Sequence, residues 1–219
     1  MTRSLRRKTL VFDLDGTLVD SAPDIAAAVN ALFAELELPA VELALIRRMI
    51  GDGAPVLLER ALAHVGAAHT AADLMPRFSV HYGENAVRLT TVYPAVVETL
   101  TQLRDLGCRL GVCTNKPISP TRAVLAALGL DTLIEAAIGG DSLPQRKPAP
   151  EPLLAVIRAL GGTPDNAVLI GDSAVDLACA AAAGVPAIII PSGYGMAEPK
   201  ATLIAAGFAE LPRVLAELQ

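Results

Sequence analysis

Short runs of β-branched and other apolar residues recur along this sequence, and each run ends in a glycine or a polar turn. An alanine- and leucine-rich stretch of helical period follows each run, which is the pattern of repeated βαβ units. The runs predict strands at residues 9–12, 109–113, 134–138, 167–170 and 187–190. Strands that are buried on both faces of a parallel sheet are continuously apolar rather than alternating, and the last two runs have this character. We therefore predict an α/β fold with a doubly wound, Rossmann-like parallel sheet.

One long interval interrupts this alternation. Between the first and second runs lie roughly ninety residues that show several helical patterns and no convincing strand. The predicted helices cover residues 23–37, 41–50, 55–65 and 71–86, and Pro94 opens a helix that returns to the sheet. We expect residues 21–90 to form an inserted all-helical domain, and residues 1–20 and 91–219 to form the α/β domain.

The composition restricts the partners and the location of the chain. The formal net charge is −5, and no basic block follows the first eight residues, which argues against a nucleic-acid surface. No apolar stretch reaches the length of a membrane span, and Asp13 and Asp15 stop the apolar run after the basic start, so no secretion signal is predicted. The three cysteines lack the spacing of a disulfide framework or a zinc site. These features predict a soluble cytoplasmic monomer or homodimer whose partner is a small molecule.

Two carboxylates stand at the end of the first predicted strand. Asp13 and Asp15 follow the apolar run, and Gly16 lets the backbone turn away. Ligands bind at this carboxyl edge in open α/β sheets. An acidic pair at a strand end could also do no more than cap a helix, so these residues alone leave the choice open.

Two further segments offer groups that bind phosphate. The second strand ends in Thr114-Asn115-Lys116, which places a hydroxyl, an amide and backbone N–H groups at the start of a helix. Such a helix start is a suitable environment for phosphate oxygens. Lys147 precedes a Pro-Ala-Pro sequence whose prolines stiffen the loop and could hold the ammonium in place. A solvated surface lysine is the alternative.

The fourth strand also ends in acidic residues, with Asp172 directly after the apolar run and Asp176 one helical turn beyond it. Because the later strands must return to the other side of the first strand, Asp172 and Asp13 are expected to meet at the switch point of the sheet. Converging carboxylates repel each other without a cation, and a hard, oxygen-preferring ion such as Mg²⁺ fits them. We favour Asp172 over Asp141 of an earlier Gly-Asp-Ser sequence because the strand before Asp172 is the clearer one.

With these segments in view, the chain resembles the haloacid dehalogenase (HAD) superfamily of phosphatases, with a helical C1-type cap inserted after the first motif. All four motifs of that family occur in order over nearly the full length. The resemblance implies a Mg²⁺-dependent hydrolase that works through an aspartyl-phosphate intermediate. For catalysis it implies Asp13 as nucleophile, Asp15 as general acid and base, Thr114 and Asn115 as phosphate ligands, and Lys147 as neutralising cation. For the metal it implies Asp13, Asp172 and the backbone carbonyl of Asp15 as ligands, whereas Asp176 does not contact the metal directly.

Two shorter stretches, residues 50–53 and 139–148, resemble the phosphoglycolate phosphatases within that superfamily. This narrower resemblance implies 2-phosphoglycolate as the substrate. The helix that follows the first stretch could bind the substrate carboxylate with its free N–H groups, so Gly51, Asp52 and Gly53 are candidate substrate-binding residues. The charge of Asp52 argues against this role, and a hinge turn or a helix cap would explain the same three residues.

Other activities share the same core motifs. A dehalogenase attacks carbon and needs no proton donor for the leaving group, so Asp15 favours attack on phosphorus. A phosphonoacetaldehyde hydrolase is expected to carry a lysine in its cap, and residues 21–90 contain none. A phosphatase for another small ester or for pyrophosphate, and a sugar-phosphate mutase, stay open because the cap selects the substrate. A catalytically silent binding protein is disfavoured by the complete set of acidic and cationic residues.

Overall fold

The structure, a computed structural model, describes residues 8–85, 87–191, 194 and 203–218. The strands in these ranges are β1 (Thr9–Phe12), β2 (Val19–Asp20), β3 (Thr91–Val92), β4 (Arg109–Cys113), β5 (Ala136–Ile138), β6 (Ala167–Gly171), β7 (Ala187–Ile189) and β8 (Leu203–Ile204). Six of them form a parallel sheet in the order β5-β4-β1-β6-β7-β8. The chain therefore builds outward from β1 in both directions, as a doubly wound sheet requires.

Helices follow the strands and also fill the long interval after β1. Their bounds are α1 (Ala22–Glu35), α2 (Leu43–Met49), α3 (Ala54–Val65), α4 (Ala71–Asn85), α5 (Val96–Asp105), α6 (Ile118–Ala127), α7 (Glu151–Ala159), α8 (Ala174–Ala183) and α9 (Leu211–Leu215). Helices α1 to α4 lie close to the four helices predicted for the insert. Within the described ranges, no helix combines the length and the apolar character that crossing a membrane requires.

The central strand is buried on both of its faces. Leu10 and Phe12 belong to an apolar cluster that includes side chains of α5 and α9, whereas Val11 belongs to a second cluster with α7 and α8. This alternation follows from the two-residue period of a strand. Each such side chain contributes about 1.5–3 kcal/mol by leaving water. The end of β1, and therefore Asp13, is held in a rigid frame.

The four helices of the insert have an apolar cluster of their own. Its fully buried members include Leu32 and Phe33 of α1, Ile46 of α2 and Leu58 of α3. At the base of the insert, β2 and β3 pair as two short antiparallel strands, with Val19 opposite Val92. The domain limits near residues 20 and 90 stay a prediction, and these two strands lie beside them.

The structure differs from the sequence prediction in its shortest elements. The helix that Pro94 was expected to open starts instead at Val96, because Ala95 takes a left-handed conformation with φ 62° and ends the preceding turn. Strand β5 is also shorter than the predicted 134–138. The strands β2, β3 and β8 were not predicted, since two residues are too few to show a period.

Candidate active site

The carboxyl ends of three neighbouring strands bring the predicted site residues together. Asp13 follows β1, Thr114 follows β4 and Asp172 follows β6, and β1 pairs with both of the other strands. The backbone N–H of Asp13 extends this pairing by donating to the carbonyl of Ile170 at 2.9 Å. These ends therefore lie at one edge of the sheet, as the topology of the chain predicts.

Asp13, Asp172 and Asp176 form a buried acidic cluster, in which one carboxylate oxygen of each residue lies within 4.8 Å of the others. Burial raises the pKa of Asp13 to about 6, with a further contribution from Asp176 against the opposing charge of Lys147. Burial also raises the pKa of Asp172 to about 8, and the charges of Asp13 and Asp176 add to this increase. The cluster therefore holds more negative charge than its surroundings compensate.

Lys147 supplies part of the compensating charge. Its Nζ lies 2.8 Å from Oδ1 of Asp13 and 2.6 Å from Oδ1 of Asp176, and the side chain is almost fully buried. Burial lowers the pKa of Lys147, but the two carboxylates outweigh this effect and raise the pKa well above its usual value. The lysine is thus a fixed cation and not a solvated surface charge.

Local backbone features hold the two later aspartates. Asp176 forms a capping box with Ser173 at the start of α8. A side chain at Gly171 would collide with the Asp176 carboxylate, so β6 must end in glycine for the two to pack. A Cβ at Gly16 would lie 2.6 Å from Oδ2 of Asp172, and Thr17 donates a hydrogen bond to Oδ1 of Asp172 at 3.2 Å. The loop after β1 therefore packs directly on Asp172.

This donor set fits Mg²⁺. Hard carboxylate oxygens on a rigid frame are the ligands that this ion prefers. Both carboxylate oxygens of Asp176 already accept hydrogen bonds, Oδ1 from Lys147 and Oδ2 from Ser173, whereas Lys147 contacts only Oδ1 of Asp13, so Asp13 and Asp172 are the carboxylates best placed to hold the ion.

Asp15 faces a different set of partners from Asp13. Its Oδ1 accepts a hydrogen bond from Ser21 at 2.5 Å, and Nζ of Lys116 lies 2.9 Å from Oδ1 and 3.1 Å from Oδ2. The two carboxylates of the first motif therefore have different partners. Asp13 belongs to the acidic cluster, whereas Asp15 contacts Ser21 and Lys116.

Thr114 and Asn115 lie at the predicted edge but make different contacts. Thr114 is buried, and its Oγ1 accepts a hydrogen bond from the backbone N–H of Lys116 at 3.2 Å. Asn115 donates from Nδ2 to the carbonyls of Gly51 and Lys147, each at 3.0 Å. Its amide thus connects the loop of the insert to the loop that carries Lys147.

The loop at residues 51–53 is only partly placed as the sequence suggested. Gly51 and Gly53 line the cavity and adopt positive φ angles of 129° and 91°, which favour glycine. Asp52 is not among the cavity-lining residues, and its carboxylate forms an ion pair with Arg60 at 2.6 Å. A role of Asp52 in substrate binding stays a prediction without support from these contacts.

A cavity of about 400 Å³ separates the insert from the α/β core. Its floor includes Asp13 and Asp15, and its roof is largely apolar. The residues that form the roof are Ile25, Ile50, Leu57, Met75, Phe78 and Tyr82. Among the described residues of the lining, Lys116 is the single cation. A small anion bound between the two parts would therefore meet one cation, two carboxylates and an apolar roof.

Several residues that complete the site were not predicted from the sequence. No role was predicted for Lys116, Thr17, Ser21 or Tyr82. Lys116 reaches Asp15 across 101 residues of chain, and its ammonium lies 4.7 Å from the ring centroid of Tyr82 in α4. Lys116 does directly follow two predicted phosphate ligands, which is the one sequence signal that could have marked it. Tyr82 itself has no such signal in the sequence.

Comparisons with known proteins agree with this arrangement. The family model of haloacid dehalogenase-like hydrolases matches residues 7–184. A phosphoglycolate phosphatase of Rhodospirillum rubrum is 44% identical over 203 residues, which cover 90% of this chain and 84% of that protein. A phosphoglycolate phosphatase of Cereibacter sphaeroides is 49% identical over 189 residues, covering 84% of this chain and 85% of that protein.

A solved structure gives the same result for the fold. The crystal structure of a predicted phosphoglycolate phosphatase from Haemophilus somnus has a TM-score of 0.88 to this chain and is 34% identical in sequence. The match covers 95% of this chain and 97% of that one. The likeness therefore includes the helical insert as well as the sheet.

Proposed function

This chain belongs to the haloacid dehalogenase-like hydrolases, and we propose that within this family it is a magnesium-dependent phosphatase for 2-phosphoglycolate. The relatives of highest identity reported above carry that activity in their names. The observation that carries the proposal is the arrangement at the end of β1. There, Asp13 contacts a buried cation and a cluster of carboxylates, while Asp15 faces the cavity.

The metal site that we propose consists of Asp13, Asp172 and the backbone carbonyl of Asp15. Asp176 acts through its ion pair with Lys147 rather than by direct contact with the metal. When bound, Mg²⁺ supplies Lewis-acid stabilisation of a phosphate oxygen and offsets negative charge. The chain's own residues perform the remaining tasks.

In the first step, a carboxylate oxygen of Asp13 attacks phosphorus, and the bond from phosphorus to the ester oxygen breaks. The ammonium of Lys147, 2.8 Å from Asp13, offsets the charge of the nucleophile and the phosphate as they meet. Thr114 and the backbone N–H groups beside it bind phosphate oxygens. Asp15 donates its proton to the departing alkoxide, because an alkoxide is a poor leaving group without one.

In the second step, water attacks the aspartyl phosphate. Asp15, now ionised, accepts a proton from that water, the bond between phosphorus and Asp13 breaks, and inorganic phosphate leaves. Ser21 and Lys116 fix the carboxylate of Asp15 from two sides, so the same group is oriented for both proton transfers.

The proposed substrate is a small metabolite, and the location that we propose is the cytoplasm. Within the described residues, the thiols of Cys108, Cys113 and Cys179 are buried and form no disulfide, which suits a reducing compartment. A cavity with one cation and an apolar roof also favours a short anionic ester over a nucleotide or a sugar bisphosphate.

A substrate panel tests the proposed function. Phosphate release should be measured with Mg²⁺ for 2-phosphoglycolate, glucose 6-phosphate, pyrophosphate and AMP. We expect kcat/KM for 2-phosphoglycolate to exceed the others by about tenfold or more, since among these compounds it is the one that combines a short chain with a carboxylate for the single cation of the cavity lining. Asp13→Asn should abolish all release. Equal rates on the whole panel would contradict the proposed substrate, and activity that survives exhaustive chelation would contradict the metal.

The two roles of Asp15 can be separated with p-nitrophenyl phosphate, whose leaving group departs without a proton. Asp15→Asn should spare the first step with this ester and slow the second. A burst of about one equivalent of nitrophenolate per site should then precede slow turnover. Rapid-quench kinetics would measure the burst, and acid-quenched protein should carry phosphate on Asp13. Unchanged steady-state turnover without a burst would remove Asp15 from the role of base.

A further inference from the structure

The mechanism above uses Lys147 but leaves the second buried lysine, Lys116, without contact to the substrate. Lys116 is 7% exposed, and Asp15 is its ion-pair partner. Burial lowers the pKa of Lys116, but the Asp15 carboxylate outweighs this effect and raises the pKa above its usual value. A charged ammonium is therefore fixed beside the general acid.

This ammonium has hydrogen-bonding capacity left for a ligand. An ammonium carries three N–H donors. Within the described part of the chain, the two hydrogen bonds of Lys116 Nζ both go to the carboxylate of Asp15. The ring centroid of Tyr82 lies 4.7 Å from Nζ on another side, and the Tyr82 hydroxyl is close enough to contribute to the raised pKa of Lys116. Asp15 uses at most two of the three donors, so one can turn from Tyr82 to an anion in the cavity.

The rest of the described cavity lining provides no competing full positive charge. The lining consists of apolar residues, backbone, small polar groups, Lys116, and the two carboxylates of the first motif. The loop of the insert turns the Gly51 carbonyl toward the amide of Asn115, and Asp52 is paired with Arg60. Nη1 of Arg146 lies beside this loop, 3.6 Å from the position that a Cβ at Gly53 would take, but Arg146 is not part of the lining. Among the described lining residues, Lys116 is therefore the counter-charge for a second negative group on the substrate.

Distance then determines which substrates can use Lys116. Asp15 must lie within hydrogen-bond reach of the ester oxygen to protonate it, and Lys116 Nζ is 2.9 Å from that carboxylate. In an ester with a carboxylate on the carbon next to the ester oxygen, the carboxyl carbon is roughly 2.5 Å from that oxygen. Such a carboxylate can contact Lys116 while Asp15 contacts the ester oxygen.

We propose that Lys116 is the specificity-determining residue of this enzyme, and that it binds the carboxylate of a short phosphoryloxy carboxylate while it also orients Asp15. The proposal rests on the proposed function, because it names the group that distinguishes 2-phosphoglycolate from uncharged esters of the same size. It places the carboxylate of the substrate at Lys116, after β4 of the core, rather than at the N-terminus of α3.

The test compares 2-phosphoglycolate with ethyl phosphate, an ester of nearly the same shape that lacks the carboxylate. In Lys116→Gln, the ratio of the two kcat/KM values should fall by roughly ten- to a hundredfold, as expected for one lost charged hydrogen bond. Lys116→Arg, which keeps the charge, should retain most of the preference. Ser21→Ala is the matched control. It removes the other partner of Asp15 and should lower both kcat/KM values while leaving their ratio unchanged.

A binding measurement makes the test independent of turnover. With Mg²⁺ present, calorimetry should give a Kd for 3-phosphonopropionate, in which a CH₂ replaces the ester oxygen, that rises roughly ten- to a hundredfold in Lys116→Gln. The Kd for propylphosphonate, which lacks the carboxylate, should change less than threefold. Both variants should show the wild-type circular dichroism spectrum. If Lys116→Gln does not fold, Lys116→Arg decides, because the proposal requires this variant to keep the preference for the ligand with a carboxylate.

Failure of this proposal can be told apart from failure of the proposed function. If the wild type hydrolyses 2-phosphoglycolate well and Lys116→Gln loses activity equally on both esters, Lys116 only orients Asp15 and the proposal is overturned. If the wild type hydrolyses ethyl phosphate and 2-phosphoglycolate equally, the proposed substrate fails, and the proposal fails with it. A lowered ratio in Lys116→Gln together with an unchanged ratio in Ser21→Ala supports the proposal.

Discussion

The acidic cluster has three buried carboxylates, and Lys147 forms ion pairs with those of Asp13 and Asp176. The pKa of Asp172 is about 8 in the folded protein against an ordinary value of 3.8, first because of burial. The folded state therefore binds a proton more tightly than the unfolded chain. The stability that this proton supplies to the metal-free protein is complete below the ordinary value and is lost as the pH rises through about 8.

Asp172→Asn should remove this loss of stability. We expect the metal-free variant to have a higher melting temperature than the metal-free wild type at pH 8, because the amide cannot ionise. The advantage should shrink toward pH 5. Mg²⁺ should raise the melting temperature of the wild type more at pH 8 than at pH 6, and should not raise that of the variant. Thermal unfolding by circular dichroism, with and without EDTA, measures all of these effects.

The chain offers a matched control in Asp141, which also stands in a Gly-Asp-Ser sequence but is exposed. Its carboxylate accepts a hydrogen bond from the backbone N–H of Ile118, which an asparagine can also accept. Asp141→Asn should therefore keep the wild-type response to pH and to Mg²⁺. A Mg²⁺ response that is lost in Asp141→Asn and kept in Asp172→Asn would show that the metal site has been placed at the wrong motif.

Asp13 and Asp172 of the acidic cluster could be predicted because each directly follows a strand. A strand end and its position in a parallel sheet are local features, and together they brought Asp13 and Asp172 to one edge. The contacts of Lys116 were not predictable in the same way. Its partner Tyr82 lies in the insert, and the angle at which the insert meets the core depends on side-chain packing that no local pattern records.

At the level of elements, Asn115 joins three segments. It follows β4, and its amide donates to Gly51 of the insert and to the carbonyl of Lys147 before α7. Asn115→Ala should leave both carbonyls without this donor and lower the unfolding free energy by about 1–3 kcal/mol. It should also raise KM for 2-phosphoglycolate, because the loop would no longer be held over the cavity. Urea denaturation and steady-state kinetics measure the two effects.

Asn30 is a suitable control because it makes a similar clamp inside the insert. Its amide donates to the carbonyl of Val41 at 3.0 Å and accepts from the N–H of Val41 at 2.8 Å. Asn30→Ala should lower stability without raising KM, since it does not join the insert to the core. If both variants raise KM equally, general loosening of the insert explains the result and the clamp at Asn115 has no special role.

The elements themselves were predicted well where a period had room to develop. Each of the helices α1 to α4 lies within a few residues of its predicted position, because an amphipathic pattern over seven residues or more identifies the buried face. The start of α5 was placed early because Pro94 was taken as its first residue, whereas the left-handed Ala95 separates the two. Conformations of single residues of this kind are set by the turn and not by propensity.

At the scale of the whole molecule, the insert and the α/β part bury separate apolar clusters. Among the described residues, Val87 packs against both the cluster of the insert and the cluster of the sheet. The polar links at the base include the pair of Arg47 and Asp20 at 2.6 Å and the hydrogen bond from the backbone N–H of Ala22 to the Tyr194 hydroxyl at 2.6 Å. We expect that the insert can open and close over the cavity while both clusters stay intact.

This separation predicts that metal and substrate protect different parts of the chain. A ligand that binds at one hundred times its Kd stabilises the folded state by about 2.7 kcal/mol, which slows exchange of the affected amides by about a hundredfold. Mg²⁺ alone should slow hydrogen exchange in β1, β6 and the loop after them, and leave α3 and α4 largely unchanged. Adding 3-phosphonopropionate should extend protection to α4 around Tyr82 and to the start of α3.

Hydrogen exchange followed by mass spectrometry measures this for each segment, and propylphosphonate is the matched ligand. It can occupy the phosphate site but cannot reach Lys116 with a charge, so it should protect the core strands while protecting α4 less than 3-phosphonopropionate does. Equal protection of α4 by Mg²⁺ alone would show that the insert and the core exchange as one cooperative unit. In that case the carboxylate of the ligand could not favour a closed arrangement of the insert, because the insert would not open separately from the core.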